Sequence, residues 1–243
     1  MIRLINVSKV FGTGVAGLAD VSLGVDKGEF VFLVGKTGSG KTTLLRLLIR
    51  EMLPTDGTIF VGEYDIVKLP QNKIPHLRKK IGVIFQDLKL LMDRTIGENV
   101  SLPLELSGMT TEDIQKKVEE LLTQVDMIEH KEKFPVQLSG GELQRIAIAR
   151  ALALSPDILL ADEPTGNLDN KTAFEIVDLL SSINEQGTTI LMATHNMDIV
   201  EKLNKRVVSL EKGKVIRDEK KAEKHHHEKG KDEKKEEKEE KKK

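Results

Sequence analysis

The amino-acid sequence predicts an α/β fold built around a mostly parallel β-sheet. Short apolar runs alternate with longer amphipathic segments along the chain, which is typical of this class. Several apolar runs are unbroken stretches of Val, Ile, Leu and Phe, as expected of parallel strands covered by helices on both faces. The predicted strands are residues 2–7, 30–34, 58–61, 81–85, 158–161, 189–193 and 206–210.

The amphipathic segments predict helices, and their distribution predicts the organisation of the chain. The predicted helices are residues 41–51, 114–125, 141–154, 172–184 and 198–203. From about residue 87 to residue 156 the pattern is helical without a strong strand, which predicts a helical lobe inserted into the core. The end of the chain, residues 219–243, has one apolar residue, Ala222. We therefore expect one domain over residues 1–218 and a charged, disordered tail over residues 219–243.

The composition limits the chemistry that this chain of 243 residues can perform. Hydrophobic residues make up 39% of the sequence and aromatic residues only 3%, so we expect a core of Val, Ile and Leu. The absence of Cys excludes disulfides, thiolate metal sites and thiol nucleophiles. No segment approaches the roughly 18 apolar residues of a membrane-spanning helix, and the first residues do not resemble a signal peptide. We expect a soluble chain that is not exported.

The net charge of −1 indicates no surface dedicated to nucleic acid. Residues 219–243 contain 11 Lys and 9 acidic residues, and the rest of the chain is slightly acidic. A nucleic-acid surface requires an excess of basic residues, which neither part shows. We therefore expect no nucleic-acid partner.

The residues GKTGSGKT at positions 35–42 match the G-x-x-x-x-G-K-[ST] pattern of phosphate-binding loops. A predicted strand precedes the match and a predicted helix follows it. Glycines let successive backbone N–H groups point at phosphate oxygens, and the helix adds the positive end of its dipole. We expect Lys41 to contact the β- and γ-phosphates of ATP and the Thr42 hydroxyl to bind Mg²⁺; the alternative is an ordinary Gly-rich turn. The residues expected to bind the nucleotide here are Gly35, Lys36, Thr37, Gly38, Ser39, Gly40, Lys41, Thr42 and Thr43.

Two acidic residues, Asp162 and Glu163, directly follow the predicted strand at residues 158–161. Neighbouring strand residues point in opposite directions, so the two carboxylates are expected to differ in role. Asp162 is interpreted as the Mg²⁺ partner, and Glu163 as the group that orients and deprotonates the attacking water. Pro164 predicts an extended backbone at Glu163. An ordinary loop start after a strand is the alternative, and the phosphate loop upstream disfavours it.

The residues LSGGE at positions 138–142 open a predicted helix. Ser139 and Glu142 have the S-x-x-E spacing of a capping box, which is the local interpretation. Two glycines at a helix N-terminus also suit a second anion site. One phosphate cluster cannot easily occupy both sites within a single chain.

The order of these motifs, a phosphate loop, then LSGG, then a strand ending in Asp-Glu, resembles the ABC ATPase family over residues 1 to about 218. In that family LSGG is the signature motif. The resemblance implies a P-loop NTPase fold of the ABC type, with an N-terminal antiparallel β subdomain beside the parallel sheet. It also implies an ATP hydrolase that works as a homodimer. In that dimer Ser139, Gly140 and Gly141 of each copy cap the ATP held by the other copy.

The resemblance assigns roles to further residues. Gln86 matches the glutamine that senses Mg²⁺ and water, Asp169 in GNLD matches an acid that crosses the dimer interface, and His195 matches a histidine that contacts the γ-phosphate. Phe11 matches the aromatic residue that stacks on adenine, although a core or surface Phe is the alternative. The catalytic residues are therefore expected to be Glu163, His195, Gln86 and Lys41, and the Mg²⁺ ligands Thr42, Gln86 and Asp162.

Within the family, residues 90–103 (LLMDRTIGENVSLP) resemble the members that act in cell division. This implies an integral membrane partner that docks near Gln86–Met92, further divisome partners, no transported solute, and ATP-driven control of cell-wall hydrolases. It places the chain peripherally at the cytoplasmic face of the plasma (inner) membrane, at the division site. Apolar side chains from Leu88 to Met92 suit a helix-in-groove dock, with core packing as the alternative. The other hypotheses are a lipoprotein- or macrolide-type exporter ATPase and an ATP-dependent divisome scaffold with incidental hydrolysis.

Overall fold

The structure is a computed structural model that describes residues 1–220, and its centre is a six-stranded sheet. The strand order is β10-β9-β3-β8-β7-β6, and every neighbouring pair is parallel except β10 with β9. The α/β fold with a mostly parallel sheet is therefore confirmed. The strands of this sheet are β3 (Phe30–Val34), β6 (Ile81–Ile84), β7 (Ile158–Asp162), β8 (Thr189–Thr194), β9 (Arg206–Glu211) and β10 (Lys214–Glu219).

A second, four-stranded sheet is antiparallel and confirms the predicted β subdomain. Its strand order is β2-β1-β4-β5. The two sheets approach each other where the Ala19 N–H donates to the Gly213 carbonyl at 2.8 Å. The strands are β1 (Ile2–Val10), β2 (Ala16–Val25), β4 (Asp56–Val61) and β5 (Tyr64–Asp65).

Residues 1–220 contain seven α-helices, three of which lie between β6 and β7 in the region predicted as the helical lobe. No helix in this described part of the chain is long and apolar enough to cross a bilayer. The helices are α1 (Lys41–Leu48), α2 (Ile74–Lys79), α3 (Ile96–Ser107), α4 (Thr111–Gln124), α5 (Gly140–Leu152), α6 (Asn170–Glu185) and α7 (Met197–Leu203).

Strand β3 shows why the central strands are unbroken apolar runs. Phe30, Phe32 and Val34 pack into the apolar cluster on one side of the sheet, together with residues of α3 to α6. Val31 and Leu33 pack into the cluster on the other side, with residues of α1 and the antiparallel sheet. Both faces are buried, so alternation of apolar and polar residues is absent from this strand.

The sequence prediction missed the strands β2, β5 and β10 and the helices α2 and α3. Strand β2 alternates buried and exposed residues and is interrupted by Asp20, whose φ of 54° is left-handed. Helix α3 contains Pro103, which removes one backbone donor and masks the helical pattern. Strand β10 ends at Glu219, the first residue of the predicted tail, and residues 221–243 lie outside the described part of the chain.

Candidate nucleotide site

The phosphate loop lies between β3 and α1, and close backbone approaches explain its glycines. A Cβ at Gly35 would lie 2.3 Å from the Leu210 carbonyl oxygen, and one at Gly40 would lie 2.5 Å from the Gly17 carbonyl oxygen. Gly40 also has a φ of 109° and precedes the first residue of α1. A side chain at either position would displace main chain, so this path of the loop requires glycine at both positions.

The loop holds polar groups that suit a phosphate. The Ser39 hydroxyl oxygen is buried and has no hydrogen-bond partner among the described residues. The Lys41 ammonium group is 3.6 Å from Glu163 Oε1 and donates to the Gly35 carbonyl at 2.7 Å. An unpartnered buried hydroxyl is costly, and a phosphate oxygen would satisfy it. A cleft of about 660 Å³ borders Gly35 to Ser39 and also His195.

A neighbouring cleft of about 450 Å³ is lined by Thr42, Gln86 and Asp162, whose side chains carry oxygen atoms that can bind a metal ion. The Thr42 hydroxyl donates to Asp162 Oδ1 at 3.2 Å. Burial raises the pKa of Asp162 above its ordinary value of 3.8; the Thr42 hydrogen bond opposes this shift and the charge of Glu163 adds to it. A hydroxyl, an amide and a carboxylate are the hard oxygen ligands that Mg²⁺ prefers, so these residues fit the predicted ion.

Strands β7 and β8 are neighbours, and they bring Glu163 and His195 together. His195 Nδ1 lies 2.8 Å from Glu163 Oε2, and the His195 backbone N–H donates to the same oxygen at 3.3 Å. The other carboxylate oxygen faces Lys41. Glu163 therefore bridges the histidine and the phosphate loop. Its role as the water-activating group stays a prediction.

The backbone of Glu163 is left-handed, with a φ of 50°, so the prediction of an extended conformation before Pro164 was wrong. The Glu163 N–H donates to the Ala193 carbonyl at 3.0 Å, and the Gly166 N–H donates to the Glu163 carbonyl at 3.1 Å. The first bond joins Glu163 to β8, and the second closes a turn directly after β7. Tertiary hydrogen bonds outweigh the local preference that Pro164 imposes.

The LSGG residues lie at the start of α5. Ser139 is the N-cap and forms the predicted capping box with Glu142: the Ser139 N–H donates to Glu142 Oε2 at 2.7 Å, and the Glu142 N–H donates to the Ser139 hydroxyl at 3.4 Å. The Ser139 hydroxyl also donates to Glu142 Oε2 at 2.6 Å. The Ser139 hydroxyl is the main reason that the pKa of Glu142 lies below its usual range. A Cβ at Gly141 would lie 2.4 Å from the Thr172 methyl group. Thr172 donates to Asp169 Oδ2 at 2.6 Å, which lowers the pKa of Asp169.

The predicted residues therefore fall into two groups within one chain. The first group is Lys41, which lies in the phosphate loop, with Asp162, Glu163, His195 and Gln86 around it. Ser139, Gly140, Gly141 and Asp169 form a second group at the starts of α5 and α6, and none of these four borders either cleft beside the loop.

Phe11 lies in the turn between β1 and β2 and is 37% exposed. A Cβ at Gly17 would lie 2.6 Å from the Phe11 ring and 3.1 Å from the Thr43 methyl group, so Phe11 and Thr43 lie near each other. The ring is thus beside the start of α1. Stacking of this ring on adenine stays a prediction.

Two residues that contribute to the site, Asn167 and Gly213, were not predicted from the sequence. Asn167 borders the cleft of Thr42 and Asp162, and its position two residues before Asp169 in GNLD could have indicated it. Gly213 donates its N–H to the Ser39 carbonyl at 3.0 Å and so supports the phosphate loop. This contact depends on β10, which the sequence analysis had missed.

The fold and the site define an ATP-binding protein with a phosphate loop. Residues 18–166 match the ABC transporter family, and the chain belongs to that family. It is an ABC-type ATP hydrolase.

The comparisons with individual proteins agree with this. The chain is 44% identical to the cell division ATP-binding protein FtsE of Bacillus subtilis (strain 168), over 92% of this chain and 98% of the relative. It is 46% identical to FtsE of Streptococcus pneumoniae (serotype 2, strain D39), over 92% and 97%. The FtsE protein of Escherichia coli (strain K12) is 43% identical, over 88% and 96%.

Solved structures show the same fold. The dimeric post-hydrolysis structure of the ATP-binding cassette MJ0796 bound to ADP and Pi matches with a TM-score of 0.83 and 37% identity, covering 90% of this chain and 98% of that chain. The structure of cbiO1 from Clostridium perfringens, part of the transporter complex cbiONQ, matches with a TM-score of 0.83 and 28% identity, covering 90% and 88%. The ABC-type fold is thus confirmed.

Proposed function

We propose that the chain is the ATP-hydrolysing subunit of an FtsEX-like complex. Two copies close over two ATP molecules and move an integral membrane partner resembling FtsX, which regulates cell-wall hydrolysis during cell division. The protein then works at the cytoplasmic face of the inner membrane, at the division site. High identity to FtsE proteins over nearly the whole described domain supports the cell-division role.

The observation that carries the dimer is the separation of the two groups of site residues. The phosphate loop and the catalytic carboxylates form one half of a nucleotide site, and the signature residues form the other half elsewhere on the chain. A two-fold dimer unites the halves, because the signature of each copy then faces the loop of its partner. The ATP-binding cassette MJ0796, which has the same fold, is dimeric in its post-hydrolysis structure, and this supports a dimer here.

The residues of the loop half have distinct tasks. Lys41 exchanges its contact with the Gly35 carbonyl for the β- and γ-phosphates, and Ser39 donates to a phosphate oxygen. Thr42, Gln86 and Asp162 would hold Mg²⁺, which when bound neutralises phosphate charge. Glu163 accepts the proton of the attacking water, while His195 holds one of its oxygens.

Substitution of Glu163 by Gln tests the proposal. The amide keeps the shape of the side chain but cannot accept the proton, so turnover is expected to fall by about 10²–10⁴. ATP then remains bound, and light scattering should detect a stable dimer that wild-type protein forms only transiently. The exposed Glu201→Gln serves as a control and should behave as wild type. Normal turnover in Glu163→Gln would refute the role of Glu163, and absence of an ATP-dependent dimer would refute the closure.

The membrane partner needs a separate experiment. Co-expression of the tagged chain with its cognate FtsX-like protein should yield a complex in detergent. Recovery of an exporter subunit by the chain instead would favour transport. Normal division in cells that carry only Glu163→Gln would favour a scaffold in which hydrolysis is incidental.

A further inference from the structure

The segment after Gln86, defined here as residues 87–94, has a backbone conformation that non-glycine residues rarely adopt. Leu88 and Lys89 are consecutive residues with φ values of 56° and 52°, both left-handed. Non-glycine residues in this region each cost on the order of 1–3 kcal/mol. Contacts with other segments therefore contribute to holding this conformation.

One support comes from Arg150 in the last turn of α5. Its guanidinium donates to the Leu88 carbonyl at 2.5 Å and to the Lys89 carbonyl at 2.6 Å. Arg150 is half-buried, and no carboxylate among residues 1–220 pairs with it. The two carbonyls therefore compensate a charge that would otherwise be desolvated, and a fork of N–H donors suits two adjacent acceptors.

A second support comes from Asn99 in α3, which is fully buried. Its side chain accepts from the Leu91 N–H at 2.8 Å and donates to the Leu91 carbonyl at 2.9 Å. It also lies 3.3 Å from the Arg94 carbonyl oxygen. Arg150 thus holds the first half of the segment and Asn99 the second half, while the side chains of Leu91 and Met92 stay exposed.

The support from Arg150 connects the segment to the signature residues. Helix α5 begins after Ser139 and has 13 residues, a length of about 20 Å. Its last turn also packs against β6, because a Cβ at Gly82 would lie 2.4 Å from the Ala151 carbonyl oxygen. The end of α5 therefore contacts both the strand before Gln86 and the residues after it.

We propose that Arg150 is a positioning residue that sets the backbone shape of residues 87–94 and ties this segment to the signature helix. A displacement of Ser139 on capping ATP is then passed to the segment, because Arg150 on the same helix is hydrogen-bonded to the Leu88 and Lys89 carbonyls. This inference rests on the proposed docking of a membrane partner at residues 86–92, and it adds the residue that transmits the movement.

The first experiment uses the isolated protein and needs no partner. Arg150→Met removes the donors but keeps an apolar stem, and hydrogen exchange of peptides covering residues 87–94 should accelerate at least about tenfold, since hydrogen bonds to a charged group are lost. Arg145→Met is the matched control, because Arg145 lies on the same helix and donates to the Val125 carbonyl. Equal exchange in Arg150→Met and wild type would overturn the proposal.

A milder variant covers the case in which Arg150→Met does not fold. Arg150→Lys keeps the charge but not the fork, so the new side chain should bind one carbonyl and give an intermediate acceleration of exchange. Hydrogen exchange as slow as in wild type would show that two simultaneous hydrogen bonds are unnecessary, and it would overturn the proposal that Arg150 holds both carbonyls.

The second experiment measures the complex with the FtsX-like protein in detergent. Recovery of the complex should fall at least about tenfold in Arg150→Met and stay at the wild-type level in Arg145→Met. A loosened segment with undiminished recovery would overturn the link between segment shape and docking. If wild-type protein binds no such partner, the proposed function fails, and the exchange experiment still decides the role of Arg150.

Discussion

Asp162 and Glu163 are adjacent acidic residues with different surroundings. Asp162 ends β7 and accepts from the Thr42 hydroxyl. Glu163 turns away in a left-handed conformation and contacts His195 and Lys41. Because the two backbone conformations differ, the Asp162 carboxylate lies beside Thr42, at the predicted metal site, and the Glu163 carboxylate lies between Lys41 and His195, where the attacking water is proposed to bind.

The raised pKa of Asp162 predicts a stability effect. The folded chain binds this proton more tightly than the unfolded chain, so the group's contribution to stability falls as pH rises from about 3.8 through the raised folded value. At neutral pH the folded protein carries the cost of a buried carboxylate. Asp162→Asn should therefore raise the thermal midpoint of nucleotide-free, Mg²⁺-free protein and abolish Mg²⁺-dependent turnover.

Differential scanning calorimetry at neutral pH measures this effect. The control is Asp178→Asn, which removes an exposed ion pair with Lys202 and should leave the midpoint nearly unchanged. A lower midpoint for Asp162→Asn than for wild type would contradict the assigned cost of burial.

Helix α5 carries functionally important residues at both of its ends. Its first turn presents Ser139 and two glycines, and its last turn presents Arg150 to the segment after Gln86. The capping box holds the start of the helix, and α6 packs against the same turn through Thr172. The contact between the two helix starts explains why the second glycine has no room for a side chain.

Gly141→Ala should destabilise the nucleotide-free protein. Its methyl group would lie 2.4 Å from that of Thr172, whose hydroxyl is bound to Asp169, so relief requires loss of that bond. Overpacking of this kind costs about 1–3 kcal/mol, and each kcal/mol lowers the thermal midpoint by about 2–4 °C. Gly140→Ala is the control, because its methyl group would meet Leu168 at an ordinary 3.4 Å. Equal midpoints for the two variants would refute the contact.

In the assembled dimer, two inactive variants with defects in different halves of the nucleotide site should restore ATPase activity when they are mixed. Lys41→Ala disables the phosphate loop, and Ser139→Arg disables the signature. A mixed dimer retains one complete site, formed by the loop of one copy and the signature of the other. Random pairing of equal amounts should therefore restore about a quarter of the wild-type ATPase rate when the two sites act independently.

The ATPase rate of the mixture, compared with that of each variant alone, checks this prediction. A mixture no more active than its components would contradict sites shared between two copies. A mixture of Lys41→Ala with Lys41→Ala,Ser139→Arg has no complete site and serves as the inactive control.

Local sequence was sufficient for the phosphate loop, the acidic pair and the capping box. In each of these, the chemistry depends on residues a few positions apart on one strand, turn or helix. The central strands were also predictable, because burial on both faces leaves an unbroken apolar run such as that of β3. The same motifs, through family resemblance, indicated ATP hydrolysis.

Tertiary structure alone decided the remaining features, since they depend on groups far apart in the chain. Strand β10 pairs with β9 and brings Gly213 against the phosphate loop, although its own pattern is weak. The left-handed turn at Glu163 is set by bonds to β8, and the shape of residues 87–94 is set by Arg150, about 60 residues away. Hydrogen bonds and packing between distant segments override local preference, and no local pattern records them.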